Sequence, residues 1–451
     1  MKDNIVDRRR FLAAASAGTV AAVTSRNVPA LPNVGTKGGT LAILGGEPVR
    51  KDRAWPPWPH CDQAVVDSVV KTTKSRIWCR IQSRSGTVPT LEKKFADLIG
   101  ARRCVATGSG TQALHTAVEA LGIGPGDEVI TSPYTDPGTI AAILSSRALP
   151  VLADLDGESF QLDPDDVEKR VTENTRAIIP VHIMGQPCDM SRIMAIAKKH
   201  DLKVIEDACQ AHLAEYQGKK LGTIGDLGCF SFQASKTIAC GEGGAILGDD
   251  EQLMDQCYTV HNHGTSRRGR TEVAGPKYRM NEFEGAILLG QWPGIKERFA
   301  LRNENAAYLN AQLKAFPGVV PQKLYEGTTS GAYYVYGMRY HKEHFNDADR
   351  RTFIKALRAE GVSLSTYIGQ GLHREPWVEH ILNRPVYQEM YSRERLEQYR
   401  EDNNCPNCDQ VCRDMVSFWA SGRLLGTKKD MDDVVNAIFK VHENRDKLKS
   451  I

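Results

Sequence analysis

A lysine set against apolar sequence is the first feature that could do chemistry. In CFSFQASKTIACGEGGAIL, residues 229–247, Lys236 follows a run of small and aromatic residues and precedes Gly241, Gly243 and Gly244. Lysine is seldom buried, because its ammonium must leave water. Desolvated, it gives up its proton more readily, and the free amine attacks carbonyl carbon. Ser231, five residues earlier, puts a hydroxyl close enough to serve a phosphate beside that amine. A second stretch, Gly108-Ser109-Gly110-Thr111, follows a β-rich run and opens a helical one, so free amides and a positive dipole end face an anion. A third, VIEDACQAH, ends an apolar run on Glu206 and Asp207 with Gln210 just behind. A carboxylate at that point can pair with a protonated ring nitrogen.

These residues need a scaffold that gathers them. From about residue 100, short β-rich runs alternate with helical ones. ARRCVAT leads into GTQALHTAVEALG, where Ala113, Leu114, Ala117, Val118 and Leu121 share a helical face. GPGDEVITS and LPVLADLD read as strands separated by the helix TIAAILSS. TRAIIPVHI and LKVIED are continuous apolar runs, the pattern of strands buried on both faces, and DMSRIMAIAKKH between them is a helix capped by Asp189. Alternating strands and helices predict an α/β fold with a mostly parallel sheet, whose ligands bind at the carboxyl ends of the strands. From about residue 300 longer charged helices take over, ending in DMDDVVNAIFKVHENRDKL. The expected organisation is a leader over 1–30, a large domain with an N-terminal arm over 31–300 and a smaller domain over 301–451.

Phosphate seat, strand-end acid and desolvated lysine are together what pyridoxal 5'-phosphate requires, a cofactor whose ring draws electrons from a substrate carbanion. The bulk numbers agree with a small-molecule partner. The net charge of +3, from 58 basic and 55 acidic residues, leaves no basic field for nucleic acid. No apolar stretch approaches the roughly 20 residues needed to span a bilayer. At the N-terminus, DRRRFLAAASAGTVAAVTSRNVPA carries Arg8-Arg9, an uncharged small-residue run and Val28-Pro29-Ala30 as a cleavage pattern. It resembles a twin-arginine export signal, with Asp7 where Ser or Thr is usual, and predicts a periplasmic protein. The 11 cysteines are scattered, and Cys405-x-x-Cys408-x-x-x-Cys412 lacks a fourth ligand, so no metal site is expected.

SGTQALHTAVEALGIGPGDEVI, RAIIPVHIMGQPCDMSRIMAIAKKHDLKVIEDACQAH, GTIGDLGCFSFQASKTIACGEGGAI, and NHG followed by YRMNEFEGAI resemble the DegT/DnrJ/EryC1/StrS family of keto-sugar aminotransferases. The resemblance implies the aspartate aminotransferase-like fold type I, with a large mostly parallel sheet domain and a smaller C-terminal α+β domain. It also implies a homodimer with shared sites that passes an amine from glutamate or glutamine to a keto-polyol or keto-sugar. Carried over residue by residue, Lys236 bonds the cofactor and acts as general base, Asp207 meets the pyridine nitrogen and Gln210 faces the ring hydroxyl. Gly110, Thr111 and Ser231 hold the phosphate. Family members that dehydrate sugars lose this lysine; here it is kept. LAILGGEPVR, the tryptophan-proline segment Trp55–Pro59 and LHREPW resemble the branch of glutamine:scyllo-inosose aminotransferases and 3-amino-5-hydroxybenzoate synthases.

Two positions depart from the family pattern. Tyr134-Thr135-Asp136 stands where aromatic-Thr-aromatic is usual, so the ring-stacking position is an aspartate. Lys277 stands where the family has an Asn contributed to the neighbouring subunit's phosphate, a role a point charge can fill. TYIGQGLHREPW makes Tyr367 and His373 candidates for substrate contact together with Tyr134 and Asp136, while His182 and His212 read as structural. Three rival readings stay open. One is a nicotinamide enzyme, since Gly108-x-Gly110-x-x-Ala113 mimics a dinucleotide fingerprint. The others are a binding or regulatory protein on the same scaffold and a cytoplasmic nucleotide-sugar aminotransferase.

Overall fold

The computed structural model describes residues 39–451, so the expected export signal lies outside the described residues. Five strands come first along the chain: β1 (Arg103–Thr107), β2 (Glu128–Thr131), β3 (Leu149–Leu152), β4 (Thr175–Ile179) and β5 (Lys203–Asp207). A two-strand ribbon, β6 (Glu215–Tyr216) and β7 (Lys219–Lys220), precedes β8 (Leu227–Ser231) and β9 (Gly244–Gly248). The seven-stranded sheet has the order β1-β9-β8-β5-β4-β2-β3. β9 pairs antiparallel with both neighbours, and every other strand runs the same way. Thr107, Thr131, Asp207 and Ser231 therefore end at one edge of the sheet.

Burial on both faces explains the continuous apolar runs. Val105, Val129, Ala177, Ile179 and Ile205 pack with the helices Gly110–Ala120 and Glu251–His261 on one side. Their neighbours Ala106, Ile130, Ile178 and Val204 pack with Thr87–Ile99 and Met190–His200 on the other. Asp189 caps the latter helix, accepting from the Arg192 amide at 3.2 Å. The sheet order argues against the dinucleotide reading. A mononucleotide-binding unit returns its helix to a parallel neighbour, but the neighbour of β1 is the antiparallel β9, and the helix Gly110–Ala120 leads across the sheet to β2.

A second sheet is antiparallel, in the order β10 (Val319–Pro321), β12 (Val335–Tyr340), β13 (Met415–Trp419). β11 (Thr328–Ser330) instead joins the β6–β7 ribbon. Helices Ile295–Leu313, Arg350–Ala359 and Lys428–Glu443 cover this sheet around Phe345, Phe353 and Phe418. The first of them runs through residue 300, where the change of texture was placed. Residues 40–62 pack onto this C-terminal half: Leu41 is in its core, and Glu360 accepts from the Ala42 amide at 2.8 Å and from Lys440 Nζ at 2.8 Å. Arg50 closes on Asp430 and Asp433 at 2.6 and 2.9 Å. Thr40–Ile451 is one compact unit, and no helix of the described residues is long and apolar enough to cross a membrane.

Candidate active site

Where the strands end, a cavity of about 370 Å³ opens between the sheet edge and the C-terminal half. Lys236 sits on the turn after β8 and is 9 % exposed, with its Nζ 4.2 Å from the centre of the Tyr334 ring. Three bonds hold the backbone of that turn. The Lys236 amide donates to Gln233 O at 2.9 Å, Trp58 Nε1 donates to Lys236 O at 3.0 Å, and Ser421 Oγ donates to Ser235 O at 2.8 Å. Arg302, buried, secures this clamp by lying 4.9 Å over the Trp58 ring and donating to Ser421 O at 2.9 Å.

Strand alternation separates the two acids that end β5. Glu206 turns away from the cavity and is fully buried, accepting from the amides of Gly222, Ile224 and Gly225 at 2.6–2.8 Å and lying 3.0 Å from His182 Nε2. Asp207 lines the cavity, accepting from Thr139 Oγ1 at 2.8 Å and from the Cys209 amide at 3.2 Å. Thr135 lies 2.9 Å from Thr139, extending the chain of hydroxyls. Gln210 also lines the cavity with both ends of its amide engaged: Oε1 accepts from the Met184 amide at 2.6 Å, and Nε2 donates to Tyr367 Oη at 2.9 Å.

The turn after β1 forms the remaining wall. Ser109 caps the helix Gly110–Ala120 by accepting from the Gln112 amide at 3.1 Å, while the amides of Gly110 and Thr111 open its first turn, where no intrahelical acceptor exists. Gly110 is required by close packing, since a Cβ there would meet Cys209 Sγ and Ser231 Cβ at 2.8 Å. Gly110, Thr111, Ser231, Asp207, Gln210, Lys236 and Asp136 thus share one cavity.

Four expected residues stand elsewhere. Tyr134 is fully buried in a neighbouring apolar cluster and does not line the cavity. Tyr367 does not line the cavity and reaches it through its bond to Gln210 and its edge contacts with Tyr334 and Trp419, at 6.3 and 5.7 Å. Burial raises its hydroxyl well above the usual phenol range, so it stays protonated. His373 is buried against Asp409, 3.1 Å from its carboxylate, rather than on the cavity wall. Lys277 is exposed, on a segment that bridges Asn262 and continues to Arg279 alongside Thr107.

Asp136 has a local reason to be an acid. It caps the helix Pro137–Ser145, its Oδ1 accepting from the Gly138 amide at 2.8 Å. Asp followed by Pro is the residue pattern of a cap and first helical position, a signal already present in the chain. Sequence reasoning missed Thr139, Ser235, Tyr334, Trp419 and Glu242, all of which line the cavity. Among the described residues no group of three His, Cys, Asp or Glu side chains could hold a metal, and Cys405, Cys408 and Cys412 are buried free thiols.

Two buried histidines make stability pH-dependent. Burial, with the nearby Lys236 and Arg302 charges, pushes His212 down to about 3; burial, with Arg80, does the same to His261. The unfolded chain protonates both near 6.5. The folded-state values are depressed, so the unfolded state binds more protons between these limits and stability falls as pH drops through that window. Each ring contributes about 1.4 kcal/mol per pH unit. Thermal unfolding followed from about pH 7 to about pH 4 is expected to show a steadily falling midpoint. A flat midpoint across that range contradicts this account.

The fold carries one antiparallel strand in a seven-stranded sheet, with a lysine, an acid and the first-turn amides of a helix gathered at its edge. The chain belongs to the DegT/DnrJ/EryC1/StrS aminotransferase family, whose model matches residues 63–439, and it is an enzyme of that class. It is 33% identical over 430 residues to the L-glutamine:2-deoxy-scyllo-inosose aminotransferase of Streptoalloteichus tenebrarius, covering 91% of this chain and 99% of that one. It is also 33% identical over 425 residues to the L-glutamine:scyllo-inosose aminotransferase of Streptomyces griseus, covering 90% and 98%. The crystal structure of 3-amino-5-hydroxybenzoic acid (AHBA) synthase superposes with a TM-score of 0.75 at 27% identity, covering 87% of this chain and 99% of the other.

Proposed function

We propose that the chain uses pyridoxal 5'-phosphate to move an amino group from glutamine or glutamate to the ketone of a cyclic polyol or sugar. The observation that carries this reading is the convergence of Lys236, Asp207 and the first-turn amides of Gly110 and Thr111 on one cavity. The residues fit the cofactor. Gly110 and Thr111 bring first-turn amides to the cavity wall, Ser231 and Thr111 add hydroxyls beside them, and Asp207 is a buried acid met by a hydroxyl and an amide. When bound, the cofactor supplies an electron sink for a carbanion. Asp207 would keep its ring nitrogen protonated, and Gln210, fixed by Met184 and Tyr367, would orient its hydroxyl edge. Lys236 is the base that takes the proton from the substrate carbon bearing nitrogen and returns it on the other side of the reaction.

The inosose named in both relatives is a cyclic polyol ketone, which supports that acceptor class over an amino-acid-only transaminase. Exposed Lys277 is assigned to the phosphate of a second copy, making the active form a homodimer. Arg8 and Arg9 direct the folded enzyme to the periplasm, where nucleotide-linked sugars are scarce and a free keto-inositol or keto-sugar is the acceptor. The test is an acceptor screen. Glutamine or glutamate is expected to change the visible absorbance of the purified protein, and a keto-inositol to reverse it faster than nucleotide-linked keto-sugars. No change with any amino donor refutes transamination. Fractionation of cells expressing the full chain and an Arg8→Lys, Arg9→Lys variant tests location; both proteins in the cytoplasm, uncleaved, would refute export.

A further inference from the structure

We propose that Trp419 is the platform on which the ring face of the acceptor lies, and that the acceptor is an uncharged cyclic polyol ketone rather than a phosphate-bearing sugar. This rests on the transaminase reading above and names its substrate class from residues that reading does not use.

Trp419 ends β13, lines the cavity and is 46 % exposed, although its strand neighbours Val416 and Phe418 are buried. Its position is set from two sides: the indole makes edge contacts with Tyr334 at 5.2 Å and 70° and with Tyr367 at 5.7 Å and 82°. Tyr334 is itself tied to Ser235 at 2.8 Å and lies under Lys236 Nζ. The indole is therefore held one ring outward from the reacting amine, with apolar surface turned to the cavity. A rigid aromatic surface beside a few placed polar groups is how concave sites bind small molecules.

A cyclic polyol with equatorial hydroxyls matches that surface. Its C–H face is apolar and its rim is a ring of donors. The rim acceptors are present: Asp136 and Glu242 line the same cavity. Asp136 uses one oxygen to cap its helix, which fixes the carboxylate and leaves the other oxygen for a hydroxyl.

Charge decides between acceptor classes. Among the described residues that line the cavity Lys236 is the only cation, against Asp136, Asp207 and Glu242. With Lys236 and Asp207 committed to the cofactor, and the second copy's Lys277 to its phosphate, the charges this chain leaves for the acceptor are two carboxylates. Carboxylates accept strong hydrogen bonds from hydroxyls and repel a phosphate. The aspartate at 136, where the family pattern has an aromatic residue, is thus a specificity element for a neutral ring.

The test uses the full-length holoprotein with myo-inositol as an unreactive neutral ring and uridine diphosphate as an anionic probe, binding being read by calorimetry. Myo-inositol is expected to bind wild type, to weaken about 10-fold in Trp419→Ala and to fall between in Trp419→Phe. Uridine diphosphate is expected to bind more weakly than myo-inositol. Retained visible absorbance of each variant shows that it is folded and loaded. Equal myo-inositol binding in all three proteins, no binding to wild type, or tighter binding of uridine diphosphate each overturns the inference. Failure of the transaminase reading is a separate result, seen as a wild-type spectrum that no amino donor changes.

Discussion

Lys236→Ala is expected to lower kcat by about 10⁴-fold or more while leaving the protein folded. The turn that carries the lysine is held through backbone atoms, by Trp58 Nε1 on Lys236 O, Ser421 Oγ on Ser235 O and the Lys236 amide on Gln233 O. None of these uses the lysine side chain, so truncation removes the amine and spares the loop. What the amine leaves behind is the face of Tyr334, 4.2 Å away, which has no basic group to substitute for it. Single-turnover rates with the best donor and acceptor, together with the visible spectrum, check the prediction. A variant that keeps a tenth of the activity and an unaltered spectrum would rule out Lys236 as the reacting residue.

Asp207→Asn is expected to lower kcat by about 10³-fold with little loss of fold stability, the scale of removing one preorganised electrostatic group from an active site. Asparagine is isosteric: its one oxygen can accept from the Cys209 amide while its NH2 donates to the Thr139 hydroxyl, the two groups that bond the separate carboxylate oxygens at 3.2 and 2.8 Å. It loses the negative charge and reverses one hydrogen bond. Thr139→Val removes one orienting bond and keeps the charge, so its loss is expected to stay within about 10-fold, the scale of one neutral hydrogen bond. The ratio of the two effects is the measurement. If Thr139→Val matches Asp207→Asn, the site needs the position of the acid and not its charge.

The chain by itself determined the features whose signals are local. Strands and helices of the sheet follow from periodicity: LKVIED became β5 and DMSRIMAIAKKH the helix Met190–His200. Lys236, Asp207 and Gly110 could be placed at the carboxyl edge of the sheet because each ends or shortly follows an apolar strand. Burial on both faces then left that edge as the place where ligands can meet the chain.

Tertiary structure alone decided which distant residues complete the site. Trp419 and Tyr334 come from the C-terminal half, and Trp58 from the N-terminal arm. No spacing joins them to Lys236, since contacts across such separations arise only when separate elements pack. The same packing placed His373 against Asp409 and Tyr134 in an apolar cluster, although both lie in segments that read as facing substrate. Residue type fixes what a side chain can do, but the direction it faces depends on the neighbour it is packed against. Asp136 shows both: its place before Pro137 makes it a helix cap locally, and the fold that sets this helix beside Thr111 and Lys236 puts its carboxylate on the cavity wall.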